Sequence, residues 1–351
     1  MGWKGVIREF QEFLPPIREE SIITILEGNT PLIETKSLRD LIDKRIRLFL
    51  KYEGLNPTGS FKDRGMTVAV SKAHEEGAKA IICASTGNTS AAAGAYAARA
   101  GMKAFVIIPE GKIAQGKLSQ AIIHGAKVIQ VKGNFDEALR VVKEISQNYP
   151  VALVNSLNPY RIEGQKTAAF EVTRILQRAP DYHFLPVGNA GNITAYWKGY
   201  KEFKESGKID SLPRMMGFQA EGAAPIVRGY VVEKPSTVAS AIRIGNPASW
   251  KAAEAARDES DGVIDMISDD AIIHAYRLLA DLEGVFCEPA SAISVAGLIK
   301  ISKNDIFNDG DIVVCTLTGH GLKDPDTAIR SCDEPLSLPV DIKMIVNAMG
   351  F

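Results

Sequence analysis

Lys62 lies in the segment Gly54-Leu55-Asn56-Pro57-Thr58-Gly59-Ser60-Phe61-Lys62-Asp63-Arg64-Gly65, a setting that can change the chemistry of its amine. An apolar-centred run over 45–52 reads as a strand and feeds this polar Gly/Pro turn. Thr58 and Ser60 are good helix caps, and Ser60 with Asp63 has capping-box spacing. Lys62 is therefore expected in the first turn of the next helix, where the macrodipole is positive. That potential disfavours the ammonium form and lowers the lysine pKa. A partly neutral lysine is a nucleophile and can form a Schiff base with an aldehyde. A solvated surface lysine behind an ordinary cap is the competing reading, and this segment alone does not separate the two.

The elements that must position such a lysine follow from the pattern. Strands are expected at 45–52, 80–84, 103–108, 127–131, 151–154, 182–187, 214–219 and 311–317. Helices are expected at 62–76, 89–100, 112–124, 135–148, 165–179, 193–205, 247–256, 269–282 and 291–300. Alternation at this spacing predicts an α/β protein with parallel sheets. Ligands in such sheets bind beyond the carboxyl ends of the strands, so the loops there matter most. The stretch 222–261 is the least regular, and the tail from Ser331 reads as packing or oligomer contact.

Four of these loops carry candidate groups. Ser85-Thr86-Gly87-Asn88-Thr89-Ser90 crowds hydroxyls and an amide at a helix N-terminus, where an anion such as a carboxylate is favoured. Ordinary capping needs only one of those hydroxyls. Gly188-Asn189-Ala190-Gly191-Asn192 has the form of a backbone anion nest, although it lacks the spacing of a dinucleotide loop. Asn155, Ser156 and Arg161 suit a phosphate, and equally an ordinary polar loop. In Thr318-Gly319-His320-Gly321, Thr318 offers a hydroxyl, while His320 is a candidate base or a structural turn residue. Glu288 reads as framing this region. The five histidines are scattered without metal-site spacing, so no metal is expected.

Composition narrows the classes. The chain has 351 residues, enough for two domains, with 41 Lys+Arg against 42 Asp+Glu. That balance points to neither a nucleic-acid nor an anionic-membrane surface. None of the four cysteines forms a C-x-x-C pair, which suits a reducing, cytoplasmic setting. The first twenty residues lack an apolar stretch of signal-peptide length, and no membrane span is expected.

Lysine, phosphate nest, carboxylate-type loop and strand-end hydroxyl together match what pyridoxal 5'-phosphate chemistry needs. The segments 28–32, 57–64, 85–88, 188–192 and 287–289 resemble the fold-type II, tryptophan-synthase-like pyridoxal phosphate enzymes. Within that family, 316–324 and 155–163 look most like the threonine synthases of shorter form. The resemblance runs from about Gly28 to Pro325. It implies two open-sheet α/β domains, a large one over 1–55 and 157–351 and a small one over 56–156, with the active site in the cleft between them.

It also implies roles. Lys62 would hold the cofactor as a Schiff base. Asn88 would meet the ring hydroxyl, and Thr318 the ring nitrogen. Gly188, Asn189, Ala190, Gly191 and Asn192 would bind the cofactor phosphate. Ser85, Thr86 and Thr89 would meet a substrate carboxylate, and Asn155, Ser156 and Arg161 a substrate phosphate. The implied reaction converts O-phospho-L-homoserine and water to L-threonine and phosphate, in a homodimer. A threonine or serine dehydratase, or a cysteine synthase, is the alternative within the same family.

Overall fold

A computed structural model describes residues 2–110, 115–133, 135–332 and 334–351. Among the described residues ten strands form two sheets: β1 (Leu32–Glu34), β2 (Arg47–Tyr52), β3 (Ala80–Ala84), β4 (Lys103–Pro109), β5 (Lys127–Val131), β6 (Val151–Leu153), β7 (Tyr182–Pro186), β8 (Arg214–Ala220), β9 (Val263–Ile267) and β10 (Ile312–Leu317). The six-stranded sheet has the order β1-β2-β10-β7-β8-β9 and is parallel except for the antiparallel edge strand β1. The four-stranded sheet has the order β5-β4-β3-β6 and is wholly parallel. β3, β7 and β10 are buried along their whole length, which is why they read as continuous apolar runs.

All eight expected strands are present. β1 and β9 were not expected: β1 is only three residues long, and β9 carries Asp265 and lies in a stretch without clear alternation. Two of the expected helices begin at prolines, Pro159–Leu176 and Pro289–Ser302, earlier than the expected starts at 165 and 291. Proline is well suited to the first helical turn, and it sets the boundary here. The first residues of the expected helix over 112–124, 112–114, lie outside the described residues. The irregular stretch holds short turns and the helix Trp250–Glu259.

Two helices fix the lysine. Lys62–Glu75 leaves the six-stranded sheet after β2, and Pro159–Leu176 returns to it after β6. They cross with their backbones in contact, because both present glycine at the crossing. A Cβ on Gly164 would stand 1.9 Å from the Arg64 carbonyl oxygen, and one on Gly65 would stand 2.7 Å from that of Arg161. Around this crossing lies a fully buried ionic cluster. Arg64 donates to both oxygens of Glu53 (2.6 and 2.8 Å) and both of Glu171 (2.6 and 2.7 Å). Lys51 donates to Glu171 and to the Thr30 carbonyl, each at 2.7 Å. Burial alone would raise the Glu171 carboxyl, but Arg64 and Lys51 draw it down to about 2.

The crossing leaves no room for a methyl group. Gly164→Ala should cost at least about 3 kcal/mol, the upper end for overpacking by one methyl. Urea unfolding of the cofactor-free protein measures it, and an unchanged midpoint would mean that the two helices part easily.

Candidate active site

The loops after β2, β3, β6, β7 and β10 converge between the carboxyl ends of the two sheets. Gly319 bridges to Ser60, the Phe61 N–H donates to the Thr318 carbonyl at 3.0 Å, and the His320 N–H donates to that of Gly59 at 2.9 Å. The lysine turn is thereby stitched to the end of β10. Lys62 is the first residue of its helix, as expected. The capping differs from expectation. Asp63 turns back to Thr58, accepting from its backbone N–H at 2.6 Å and from its hydroxyl, whereas Ser60 accepts only a long 3.4 Å contact from the Lys62 N–H. Thr58 lies at the turn's entry, where a carboxylate can meet both donors at once.

The Lys62 amine lies 4.0 Å from the centroid of the Phe61 ring. Its pKa is lowered to about 7, chiefly by burial and next by the Arg161 guanidinium, with Glu288 acting in the opposite sense. Enclosure and a neighbouring cation are thus the causes, in that order. Arg161 is itself 1% exposed, and burial lowers it to about 10. One of its terminal nitrogens donates to the Val154 carbonyl at 3.0 Å, while its Nε has no partner. A buried guanidinium with an unmet donor beside an amine held near neutrality suits an anionic aldehyde cofactor and an anionic substrate.

Other groups named from the sequence fall around this pair. Asn88 opens the helix Asn88–Arg99 and donates its Nδ2 to both oxygens of Glu288, at 3.2 and 3.1 Å. Ser85, Thr86 and Thr89 are half-buried in the same turn, where Ser85 accepts from the Gly87 N–H at 3.2 Å. In the 188–192 loop, Ala190 has a left-handed backbone (φ 63°) and caps the helix Gly191–Glu205. The amides of Gly191 and Asn192 thus stand at the helix N-terminus, as an anion nest requires. A Cβ on Gly188 would come within 2.9 Å of Ile242 Cα, so only glycine fits there. Asn192 is buried, with its amide oxygen unpartnered.

The loop after β6 divides in two. Ser156 accepts from Asn189 Nδ2 at 2.6 Å, joining it to the nest. Asn155 instead pairs with both backbone groups of Ala84, at 2.9 and 3.0 Å, and ties β6 to β3. Thr318 is buried, 3.1 Å from the Ser291 hydroxyl, and donates to Glu288 at 3.3 Å. His320 accepts from the Leu322 N–H at 3.1 Å and closes a turn, so the structural reading of this residue holds. No cluster able to hold a metal occurs among the described residues.

Sequence reasoning missed two groups here and read a third only as framing. That third, Glu288, turns its side chain into the site, where it meets Asn88 and Thr318. Lys323 reaches from the end of β10 to the Gln120 side chain. The Arg64 cluster carried no periodic signal, since each of its charges looks like a surface residue until the chain folds.

A family model described as pyridoxal-phosphate dependent enzyme matches residues 23–319. A threonine synthase of Synechocystis sp. is 58% identical, covering 99% of this chain and 91% of that protein. One of Halalkalibacterium halodurans is also 58% identical, covering 97% and 95%. The chain belongs to the pyridoxal-phosphate dependent enzymes, and among them to the threonine synthase family. Maize serine racemase shares the fold with a TM-score of 0.75 at 20% identity, over 98% of this chain and 96% of that one. The tryptophan-synthase-like architecture is therefore common to this family and to relatives with other names.

The Lys62 value has a direct consequence. Its neutral amine accumulates as pH rises through about 7, whereas an ordinary lysine requires a pH near about 10.4. Competitive acylation of the cofactor-free protein should show Lys62 half-reactive near that lower value. A midpoint at the ordinary position would contradict the burial described.

Proposed function

We propose that this chain converts O-phospho-L-homoserine and water to L-threonine and phosphate, with pyridoxal 5'-phosphate held on Lys62 as a Schiff base. The observation that carries the reading is the Lys62 amine, held near neutrality beside Arg161 with its unmet Nε. Bound there, the cofactor supplies an electron sink for a carbanion at Cα.

The chain's own groups do the rest. Lys62 would be the base for the Cα proton and would return it, its amine being held near neutrality by burial in the cofactor-free site. The nest of Gly188, Asn189, Ala190, Gly191 and Asn192 binds the cofactor phosphate through backbone N–H groups. Asn88 meets the ring hydroxyl, and Thr318 presents a neutral hydroxyl to the ring nitrogen. Ser85, Thr86 and Thr89 hold the substrate carboxylate. Arg161 and Ser156 hold the substrate phosphate, with Asn155 fixing their loop to β3. With the Cα proton removed, a proton is also lost from Cβ, and the Cγ–O bond then breaks so that phosphate leaves with its electron pair toward Arg161. Protons return to Cγ and Cα, and water bonds to Cβ through its oxygen, giving up one proton to the departing phosphate.

We also propose a small domain over 56–156 that carries the carboxylate loop, and a large domain over 1–55 and 157–351. A cytoplasmic homodimer completes the reading. Four free thiols, three of them buried, support a reducing compartment. Exposed Ile342, Met349 and Phe351 in the tail support a subunit contact. No described helix is long and apolar enough to cross a membrane.

Phosphate release from O-phospho-L-homoserine, with product identification, tests the reaction. The wild type should yield threonine, and Lys62→Ala should yield no product; 2-oxobutanoate as main product would move the chain to the dehydratases. Arg161→Ala should lower kcat/KM for the phosphorylated substrate by at least about tenfold, the effect of losing about 1.4 kcal/mol. Unchanged turnover would remove Arg161 from the phosphate site.

A further inference from the structure

Glu288 is a buried carboxyl group facing the lysine, and the reaction above gives it no task. It stands just before the helix Pro289–Ser302 and makes no cap bond to it. Its backbone is fixed at both ends instead. Its N–H donates to the Gly319 carbonyl at 2.9 Å, and its carbonyl accepts from the Ser291 N–H at 2.9 Å. The side chain turns into the cleft, where it meets Asn88 from the four-stranded sheet and Thr318 from the six-stranded sheet. A Cβ on Gly319 would lie 2.5 Å from the carboxyl oxygen, so glycine at 319 makes space for this placement.

The hydrogen bonds have a direction. An ionised carboxylate only accepts, so it obliges Thr318 to donate to it and leaves the Thr318 oxygen as an acceptor for any further neighbour. A protonated carboxyl can donate to Thr318 and release the Thr318 proton for an acceptor such as a pyridine nitrogen. Asn88 Nδ2 has two hydrogens, of which Glu288 needs one.

We infer that Glu288 is a positioning residue: its carboxyl orients the Asn88 amide and the Thr318 hydroxyl toward the cofactor ring and sets which way the Thr318 hydrogen bond runs at the ring nitrogen. This rests on the roles given above to Asn88 and Thr318. Burial raises the Glu288 carboxyl, opposed by the Asn88 bond, the Lys323 and Lys62 ammonium groups and the Thr318 bond. Tyr52 and Cys287 also face it, and burial pushes both upward, so they remain neutral.

The test is a pH titration of cofactor absorbance in the holoenzyme, comparing wild type, Glu288→Gln, Thr318→Val and the double variant. We expect the midpoint to move by about one unit or more in Glu288→Gln. The double variant should move no further than Thr318→Val, because one acts through the other. A wild-type midpoint in Glu288→Gln, or shifts that simply add, would overturn the inference. If Glu288→Gln loses the cofactor, an apo-protein that melts as wild type does supports positioning, and one that melts earlier makes Glu288 merely structural. Borohydride reduction of the wild type separates the two levels. A cofactor not fixed on Lys62 overturns the cofactor reading and this inference together, whereas a cofactor fixed there with unmoved midpoints overturns this inference alone.

Discussion

The Arg64 guanidinium holds the site in register. Its planar fork meets two carboxylates at once, Glu53 at the end of β2 and Glu171 on the returning helix. Lys62 lies two residues away on the same helical turn, so the fork fixes the turn that carries the reactive amine. A buried ion cluster of this kind is a weak source of net stability, since desolvation offsets most of the attraction. Its value lies in intolerance of error: removing one partner strands a buried charge, typically at a cost of about 3–5 kcal/mol. The two cations Arg64 and Lys51 are matched by the two anions Glu53 and Glu171. Nearby Lys62 and Arg161 have no such close match. The structure thus separates charges that hold the fold from charges left available for ligands.

That separation explains the chemistry of the cleft. Burial lowers the proton affinity of both Lys62 and Arg161, Arg161 lowers Lys62 further, and an arriving anion relieves both. Glu288 tempers the imbalance without abolishing it, because burial disfavours its own charge. The same enclosure that makes the amine nucleophilic also makes the cleft attractive to phosphate and carboxylate groups.

Much of this was legible in the sequence. The parallel sheets announced themselves as apolar runs, and the polar loops after β3, β7 and β10 stood out because glycine and hydroxyl residues cluster there. What could not be read was any property arising from partners distant in the chain. Ser60 and Thr58 are both acceptable caps in sequence, and only the path of the turn shows Thr58 donating to Asp63 while the helix starts after Phe61 without a side-chain cap. Asn155 looks like a phosphate ligand until both ends of its amide are seen to pair with the Ala84 backbone in β3. Glu288 reads only as framing the site, and it is held as a cleft residue through its backbone pairing with Gly319. β1 and β9 were missed because three residues, or a run broken by Asp265, show too little alternation.

The Arg64–Glu171 contact joins residues 107 positions apart. The loop it closes contains every strand of the four-stranded sheet. Closing so long a loop in a disordered chain carries a large entropic penalty, and order formed inside the loop shortens it. The burial that lowers the Lys62 amine therefore rests on a contact whose closure is costly unless the intervening sheet is ordered. The reactive amine is a property of the assembled fold, since in an unfolded chain the same lysine has ordinary basicity.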